Sequence, residues 1–182
     1  MTRSALQKRQ AALVVDVLIE AQAWRTLPQA EDIVRRAVAV AATAGVENRR
    51  PGAAARGRAG WGLCILLSDD ERIVRLNGQW RGEEKPTNVL SFPAPPLYGA
   101  GPNEETPLGD IAIAYETLAR EAKQNGTEVP DHLSHLVVHG FLHLLGYDHH
   151  MDDEAERMER LERDILAQLG VNDPYAARDA DI

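Results

Sequence analysis

The sequence predicts a single α/β (α+β) domain in which a small mixed β-sheet packs with helices. Short β-branched runs alternate with segments of helical periodicity, and neither a repeat nor a second domain boundary interrupts them. The 182 residues give room for one domain, and 44% hydrophobic with 26% charged residues is close to the globular average. We therefore expect one domain over residues 1–170, followed by an acidic tail over residues 171–182.

Composition excludes several other classes of protein. No apolar run reaches the roughly 18 residues that span a bilayer. The N-terminus lacks the apolar core of a signal peptide. A single cysteine, Cys64, excludes a disulfide framework and a cysteine-based zinc cluster. A cytoplasmic protein that contacts no membrane is the resulting prediction.

The first third of the chain predicts two strands with a helix between them. Residues 11–19 are short and β-branched, and residues 61–67 form an apolar run of strand length. Apolar positions recur at helical spacing over residues 29–44, and Gly45 is expected to end that helix. Residues 48–58 carry four arginines and no acid, which predicts an exposed loop, with a surface that faces phosphate as the alternative.

The middle of the chain predicts a helix–strand–strand–helix order. Acidic residues begin the helix over residues 68–82, where the helix dipole favours them. Residues 89–92 predict a short strand, which is stopped by prolines and followed by a Gly/Pro-rich loop to about residue 106. A strand over 111–115 and a helix over 116–124 follow.

Two helices complete the domain. Proline begins the first, over residues 130–145, and Gly146 ends it. The second spans residues 152–169, with one apolar and one charged face, and Gly170 ends it.

The net charge of −8 argues at face value against a nucleic-acid partner, but its distribution weakens that argument. Residues 148–182 contain 11 acidic and 4 basic residues. The remaining chain is nearly neutral and holds most of the arginines. The total charge therefore does not exclude a groove that binds RNA.

All six histidines lie between positions 132 and 150, and three of them have the spacing of a metal site. His139 and His143 are four residues apart on one helix face, and Gly146 lets the chain reverse so that His149 approaches them. Three imidazoles with one open position are typical of a catalytic zinc site, in which zinc lowers the pKa of a bound water to near 7.

This spacing matches the metal-binding half of the metzincin signature H-E-x-x-H-x-x-G-x-x-H. Gly140 stands where those proteases carry the general-base glutamate. Peptide hydrolysis loses its proton acceptor at that position, so a protease becomes a minor alternative.

The other histidines are interpreted as structural residues, with two alternatives left open. His132 and His150 are expected to be ordinary core or surface residues. His135 lies four residues before His139, and could orient a ligand or replace one. Asp148 could orient a ring or simply form the turn.

The histidine segment, H-G-F-L-H-L-L-G-Y-D-H over residues 139–149, resembles the signature of the YbeY family of bacterial rRNA maturation endoribonucleases. Residues 76–82 (LNGQWRG) with 85–93 (KPTNVLSFP) resemble the second block of that family, and residues 108–111 (LGDI) resemble the third. These blocks and their flanks cover about residues 60–170. Asn88 replaces the Asp that is familiar in the second block.

The resemblance implies a zinc-dependent, single-strand-specific endoribonuclease that matures the 3′ end of 16S rRNA and supports ribosome quality control. His139, His143 and His149 match the ligands of one Zn²⁺ per chain, and Arg81 matches the catalytic arginine. The implied partners are single-stranded RNA, the small ribosomal subunit and its assembly factors, with no DNA expected. Thr87, Ser91 and Asp110 lie in the matched blocks without an assigned role.

Physical chemistry supports the arginine independently, because a guanidinium can bind two phosphoryl oxygens as negative charge develops on them. The nucleophile stays open between water and the 2′-hydroxyl of RNA. Two alternative functions also remain: a non-catalytic zinc-containing ribosome-assembly factor, and a metzincin-like hydrolase of another bond. Trp61 and Trp80 are expected to pack in the core rather than stack on bases.

Overall fold

The computed structural model describes residues 12–47, 60–95, 106–149 and 151–176, and within them it confirms a mixed sheet packed with helices. The strands are β1 (Ala12–Ile19), β2 (Gly60–Ser68), β3 (Val89–Pro93) and β4 (Thr106–Ala114). The helices are α1 (Ala30–Glu47), α2 (Asp70–Arg81), α3 (Tyr115–Asn125), α4 (Val129–Leu144) and α5 (Asp152–Leu169). A short 3-10 helix, Gln22–Thr26, precedes α1.

The sheet has the order β1-β2-β4-β3. β2 pairs in parallel with β1 and β4, whereas β3 runs antiparallel to β4 and forms one edge. α1, α4 and α5 share the main core with one face of the sheet, while Ile73 of α2 belongs to a smaller core with Leu90 and Ala112. No helix in the described part of the chain is long and apolar enough to cross a membrane.

Four predicted boundaries are wrong. α1 continues through Gly45 to Glu47, because one glycine inside a helix costs only about 1 kcal/mol and does not by itself end it. β4 begins at Thr106 rather than at residue 111, since the chain already pairs with β2 there, and Tyr115 begins α3 instead of ending the strand. Ser68 ends β2, and Asp69 caps α2 by accepting from the Arg72 backbone N–H.

The predicted loops over residues 48–58 and 96–105 lie outside the described residues, as does His150. The tail prediction is described only in part, up to Ala176. The domain division at residue 170 stays a prediction.

The two tryptophans in question differ in their surroundings. Trp61 is 6% exposed and lies in the main core, as predicted. The same prediction is wrong for Trp80, which is 71% exposed. Trp80 occupies the last turn of α2, where the ring contacts Phe92 at a centroid distance of 5.7 Å.

Gly140 lies where α4 approaches the sheet most closely. A Cβ atom there would meet Ser91 Oγ at 3.0 Å and two carbons of Ile111 at 3.2 Å. The Ser91 hydroxyl donates a hydrogen bond to the Gly140 carbonyl at 3.2 Å, which fastens the helix to β3. Position 140 therefore faces the sheet, and the packing leaves no room for a glutamate.

Gly109 lies in β4 at a point where the register between β4 and β2 shifts by one residue. Its conformation allows β4 to stay paired with β2 on one side and with β3 on the other. Its φ is +141°, and a Cβ atom would lie 2.3 Å from the Phe92 carbonyl oxygen. We expect Gly109→Ala to lower the free energy of unfolding by about 2–3 kcal/mol, because backbone strain adds to a clash with backbone. Equilibrium urea denaturation with a metal chelator present measures the change.

Gly78→Ala, in the middle of α2, is the matched control. A Cβ atom at position 78 would meet only the flexible side chain of Glu84, whose Cγ would lie 3.4 Å away. That substitution should leave stability unchanged or raise it by up to about 1 kcal/mol. Equal stability of the two variants would contradict the role given to Gly109.

Candidate metal centre

The carboxyl end of α4 and the turn after it bring three histidines together. His139 and His143 project from successive turns of α4. Gly146, with a φ of +88°, lets the chain leave the helix, and Asp148 Oδ1 accepts from the His149 backbone N–H at 2.7 Å. One ring nitrogen from each of the three histidines lies within 4.8 Å of the others. The predicted triple is thus one spatial cluster, in which Asp148 helps to form the turn.

Two of the rings are held by hydrogen bonds at Nδ1. His139 Nδ1 lies 2.8 Å from Glu162 Oε1, and His143 Nδ1 lies 3.1 Å from the Tyr147 carbonyl oxygen. A carbonyl oxygen and an ionised carboxylate only accept hydrogen bonds, so both rings carry their proton on Nδ1. Each Nε2 atom is therefore left with a lone pair.

These two lone pairs converge, since His139 Nε2 and His143 Nε2 are 3.1 Å apart. With both rings in this neutral tautomer there is no proton between the two nitrogens, and a cation that binds both lone pairs would take its place. Zn–N bonds of 2.0–2.1 Å in tetrahedral geometry place two ligand nitrogens about 3.3 Å apart. The donor set and its spacing consequently fit a zinc-sized ion.

Burial and neighbouring charge keep the His143 ring neutral. Burial, followed by the adjacent His139 and His149 rings, lowers the pKa of His143 to about 4. A neutral imidazole is the form that binds a metal, so His143 is ready to act as a ligand at neutral pH.

Glu162 of α5 is a fully buried carboxylate that the sequence analysis did not identify. Burial alone would raise the pKa of Glu162, but the interactions with His135 and His139 outweigh burial and lower it to about 2. The Tyr175 hydroxyl donates a further hydrogen bond to Oε2 of the same carboxylate. Glu162 is accordingly an ionised acceptor behind His139.

A second group, His135, His139 and Glu162, also brings its possible ligand atoms within 4.8 Å. The 2.8 Å separation between Glu162 Oε1 and His139 Nδ1 is a hydrogen-bond distance, shorter than two ligands of one zinc ion would keep. His135 Nε2 lies 3.4 Å from Glu162 Oε2. His135 and Glu162 therefore lie behind the triple rather than in it. His132 instead contacts Glu121 at 2.9 Å.

Arg81 reaches the same site from a different part of the chain. A groove of about 560 Å³ is lined by Arg81 together with His139, His143 and His149. Gly82, with a φ of +72°, caps α2 directly after Arg81, and the buried Asn77 amide donates to the Lys85 carbonyl at 3.0 Å. These contacts fix the turn that carries the arginine.

The other residues of the matched blocks divide between two locations. Thr87 and Ser91 line the groove, and Asn88 donates to Glu121 Oε2 at 2.9 Å. Asp110 lies elsewhere: it is exposed on β4, in register with Cys64 and Phe92. Burial, then Asp110 and Asp16, raises the pKa of Cys64, which makes its thiol less reactive.

Glu162 and Tyr175 are the contributors that the sequence analysis missed. Glu162 is one of many acids on α5, and it follows His139 by 23 residues. A signal was present, however, because Glu162 follows Met158 and Leu161 on the apolar face of that helix. Tyr175 was assigned to the tail, and nothing in its spacing linked it to α5.

Comparisons with known proteins identify the family. The family model described as Endoribonuclease YbeY matches residues 26–170. A relative named Endoribonuclease YbeY from Nitrobacter winogradskyi is 53% identical, over 92% of this chain and 85% of its own length. Another of that name from Rhodopseudomonas palustris is 52% identical, over 90% of this chain and 93% of its own length.

Among solved structures, the solution structure of TM1509 from Thermotoga maritima is similar with a TM-score of 0.47 and 20% identity, over 92% of this chain and 93% of that chain. The family match covers well over half of the chain, and the two relatives exceed 50% identity across nearly all of it. The chain therefore belongs to the Endoribonuclease YbeY family.

Proposed function

We propose that this protein is a zinc-dependent endoribonuclease that cleaves single-stranded RNA and acts in maturation of the 3′ end of 16S rRNA. One Zn²⁺ per chain is held by His139, His143 and His149, and Arg81 binds the phosphate that is cleaved. Membership of a family described as an endoribonuclease supports the reaction class. The observation that carries the proposal is the groove that joins converging imidazole lone pairs to an arginine.

The chain's own residues prepare the metal site. Glu162 and the Tyr147 carbonyl hold His139 and His143 in the tautomer that presents Nε2. Three histidines leave a fourth position for water or substrate, as in catalytic rather than structural zinc sites. When bound, the ion supplies Lewis acidity that activates a water or polarises the phosphodiester.

Arg81 is placed to bind the reacting phosphate. Within the described residues it forms no ion pair, and it lines the same groove as the histidines. Its guanidinium can donate to two phosphoryl oxygens at once, and these bonds strengthen as negative charge develops. The Gly82 cap and the Asn77 bond hold the turn that carries this side chain before substrate arrives.

Position 140, where metzincins carry their general-base glutamate, is packed against Ser91 and Ile111 and has no room for a carboxylate side chain. A nucleophile that needs no carboxylate at position 140 is the 2′-hydroxyl of the RNA itself. Attack by this oxygen on phosphorus releases its proton to water, expels the 5′-oxygen of the next nucleotide, which takes up a proton from water, and leaves a 2′,3′-cyclic phosphate. Attack by water that leaves a 5′-phosphate would exclude this route.

The cellular setting belongs to the same proposal. The partners are the small ribosomal subunit and its assembly factors, and the location is the cytoplasm. The catalytic domain spans residues 1–170 and the acidic tail residues 171–182, a division supported by the family match over residues 26–170. The two curated relatives carry the endoribonuclease name over nearly the same extent.

His143→Ala removes one of the two converging nitrogens and should abolish both bound zinc and RNA cleavage. The metal content of purified protein, by mass spectrometry, is expected to fall from one ion per chain to near zero. His132→Gln is the matched control, since His132 is on the same helix but contacts Glu121. A His143→Ala protein that keeps both zinc and cleavage would show that the ligand set is wrong.

Arg81→Ala should reduce cleavage of single-stranded RNA by about 100- to 1,000-fold while zinc stays at one per chain. Arg81→Lys should recover only part of the rate, because a lysine keeps the charge without the two-pronged geometry. Arg75→Ala, which breaks only an exposed pair with Glu71, serves as the control. Undiminished cleavage by Arg81→Ala would favour a non-catalytic assembly factor purified with a contaminating nuclease.

Glu162→Gln should weaken zinc binding by about 10- to 100-fold, the usual effect of losing a carboxylate behind a histidine ligand. Competition with a chromophoric chelator measures the dissociation constant. The melting temperature of the metal-free protein should also fall, because the amide loses the interactions that lower the pKa of Glu162 to about 2, so zinc affinity is measured at a temperature at which the variant is folded. Glu159→Gln carries the same charge change one turn earlier, and unchanged zinc affinity is expected for it. Equal affinity of both variants would refute the role of Glu162.

A further inference from the structure

Trp80 is an exposed aromatic residue that the metal centre does not use. Its side chain is 71% exposed, whereas Trp24 and Trp61 are buried. The ring rests against Phe92, with a centroid distance of 5.7 Å and an interplanar angle of 54°. Phe92 thus supports the tryptophan from beneath and leaves most of its surface to solvent.

The position of this ring is tied to the groove. Trp80 precedes Arg81 in the last turn of α2, and Arg81 lines the groove that holds the histidines. The Gly82 cap fixes both residues, because its backbone N–H bonds to the Asn77 and Gly78 carbonyls. The ring therefore cannot move far from the arginine without unwinding the end of the helix.

Edge strand β3 lies between the ring and the histidines. Ser91 and Pro93 line the groove on one face of the sheet, whereas Leu90 and Phe92 belong to the smaller core on the other face. β3 pairs only with β4, so nothing in the described sheet extends beyond it. A single strand of RNA that leaves the groove past Arg81 would cross the β3 edge and meet Trp80.

We propose that Trp80, supported by Phe92, is a stacking site for a nucleobase of single-stranded RNA, in the part of the RNA that continues past Arg81 and the edge of β3. The inference rests on the proposed function and deepens it by assigning a base subsite. Stacking on an aromatic face is the common way in which proteins hold single-stranded RNA without reading its sequence. The nearby Arg81 cation holds the backbone while the ring holds the base.

The isolation of Trp80 favours a base over a protein partner. The other large exposed apolar side chains of the described residues are Met151 and three residues of β1, at the opposite edge of the sheet: Val14, Leu18 and Ile19. A stable protein interface buries about 800 Å² on each partner, far more than one ring offers. A single flat ring beside a phosphate-binding arginine matches the size and chemistry of one nucleotide.

The test compares affinity and kinetics in the zinc-loaded protein. Trp80→Ala should raise the dissociation constant for a single-stranded 2′-O-methyl oligoribonucleotide by about 5- to 100-fold. With a cleavable RNA its KM should rise similarly while kcat stays within about twofold, since the metal ligands and Arg81 are intact. Trp80→Tyr should restore binding to within about threefold. Leu18→Ala, which removes an exposed side chain from β1, should match the unmodified protein.

Fluorescence provides an independent readout, because Trp80 is the solvent-exposed tryptophan among three. Adding the oligoribonucleotide should quench the emission of the unmodified protein, and Trp80→Phe should lose that quenching while retaining affinity. Unchanged KM and affinity in Trp80→Ala would overturn the stacking site and point to another use of the ring, such as a protein contact. A protein that cleaves no RNA despite a full zinc complement would overturn the proposed function as well.

Discussion

The close packing of α4 against the sheet is the constraint on which the site depends. A glycine at position 140 lets the helix backbone approach Ser91 and Ile111, and the Ser91 hydrogen bond fastens it there. Because α4 is fixed there, His139 and His143, which flank position 140 on the helix surface, have fixed positions relative to β3. Gly140 thus has two consequences: it leaves the site without the metzincin base, and it allows the close packing that positions the histidines in the groove. A bulkier residue at 140 would move the histidines away from the arginine rather than add a catalytic group.

The second determinant is electrostatic, and it lies behind the histidines. A buried carboxylate is costly unless every oxygen is bonded, and Glu162 receives bonds or close contacts from His139, His135 and Tyr175. The same bonds that stabilise the carboxylate set the tautomer of His139. The cost of facing two imidazole lone pairs is relieved when a cation binds between them. The metal site is therefore held ready by the folded chain, and binding a metal should in turn stabilise the fold.

Sequence patterns predicted the elements whose signals are local. α4 and α5 were recovered almost residue for residue, since proline, glycine and apolar periodicity mark them, and the histidine triple followed from its position at the end of α4. Glu162 and Tyr175 were missed because their roles depend on how α5 packs across α4, which no local spacing records. The same limit explains why Trp80 was wrongly predicted to be buried. It ends an apolar segment, but its exposure depends on where the last turn of α2 lies relative to the edge of the sheet, which the sequence pattern does not record.

Charged side chains are unevenly distributed around the histidines, which the net charge of −8 does not reveal. A second cavity, which shares His139 and His149 with the groove, is lined by three carboxylates: Glu121, Glu159 and Glu162. The groove itself is lined by one carboxylate, Asp148, and by the cation Arg81. Phosphates are repelled from the acidic side and attracted to the arginine, so the RNA backbone should pass over Arg81 and the β3 edge. This is the edge beside which Trp80 lies. If RNA binds as proposed, the acidic residues of α5 do not oppose its binding as a whole, and they favour a backbone path past Arg81 and Trp80.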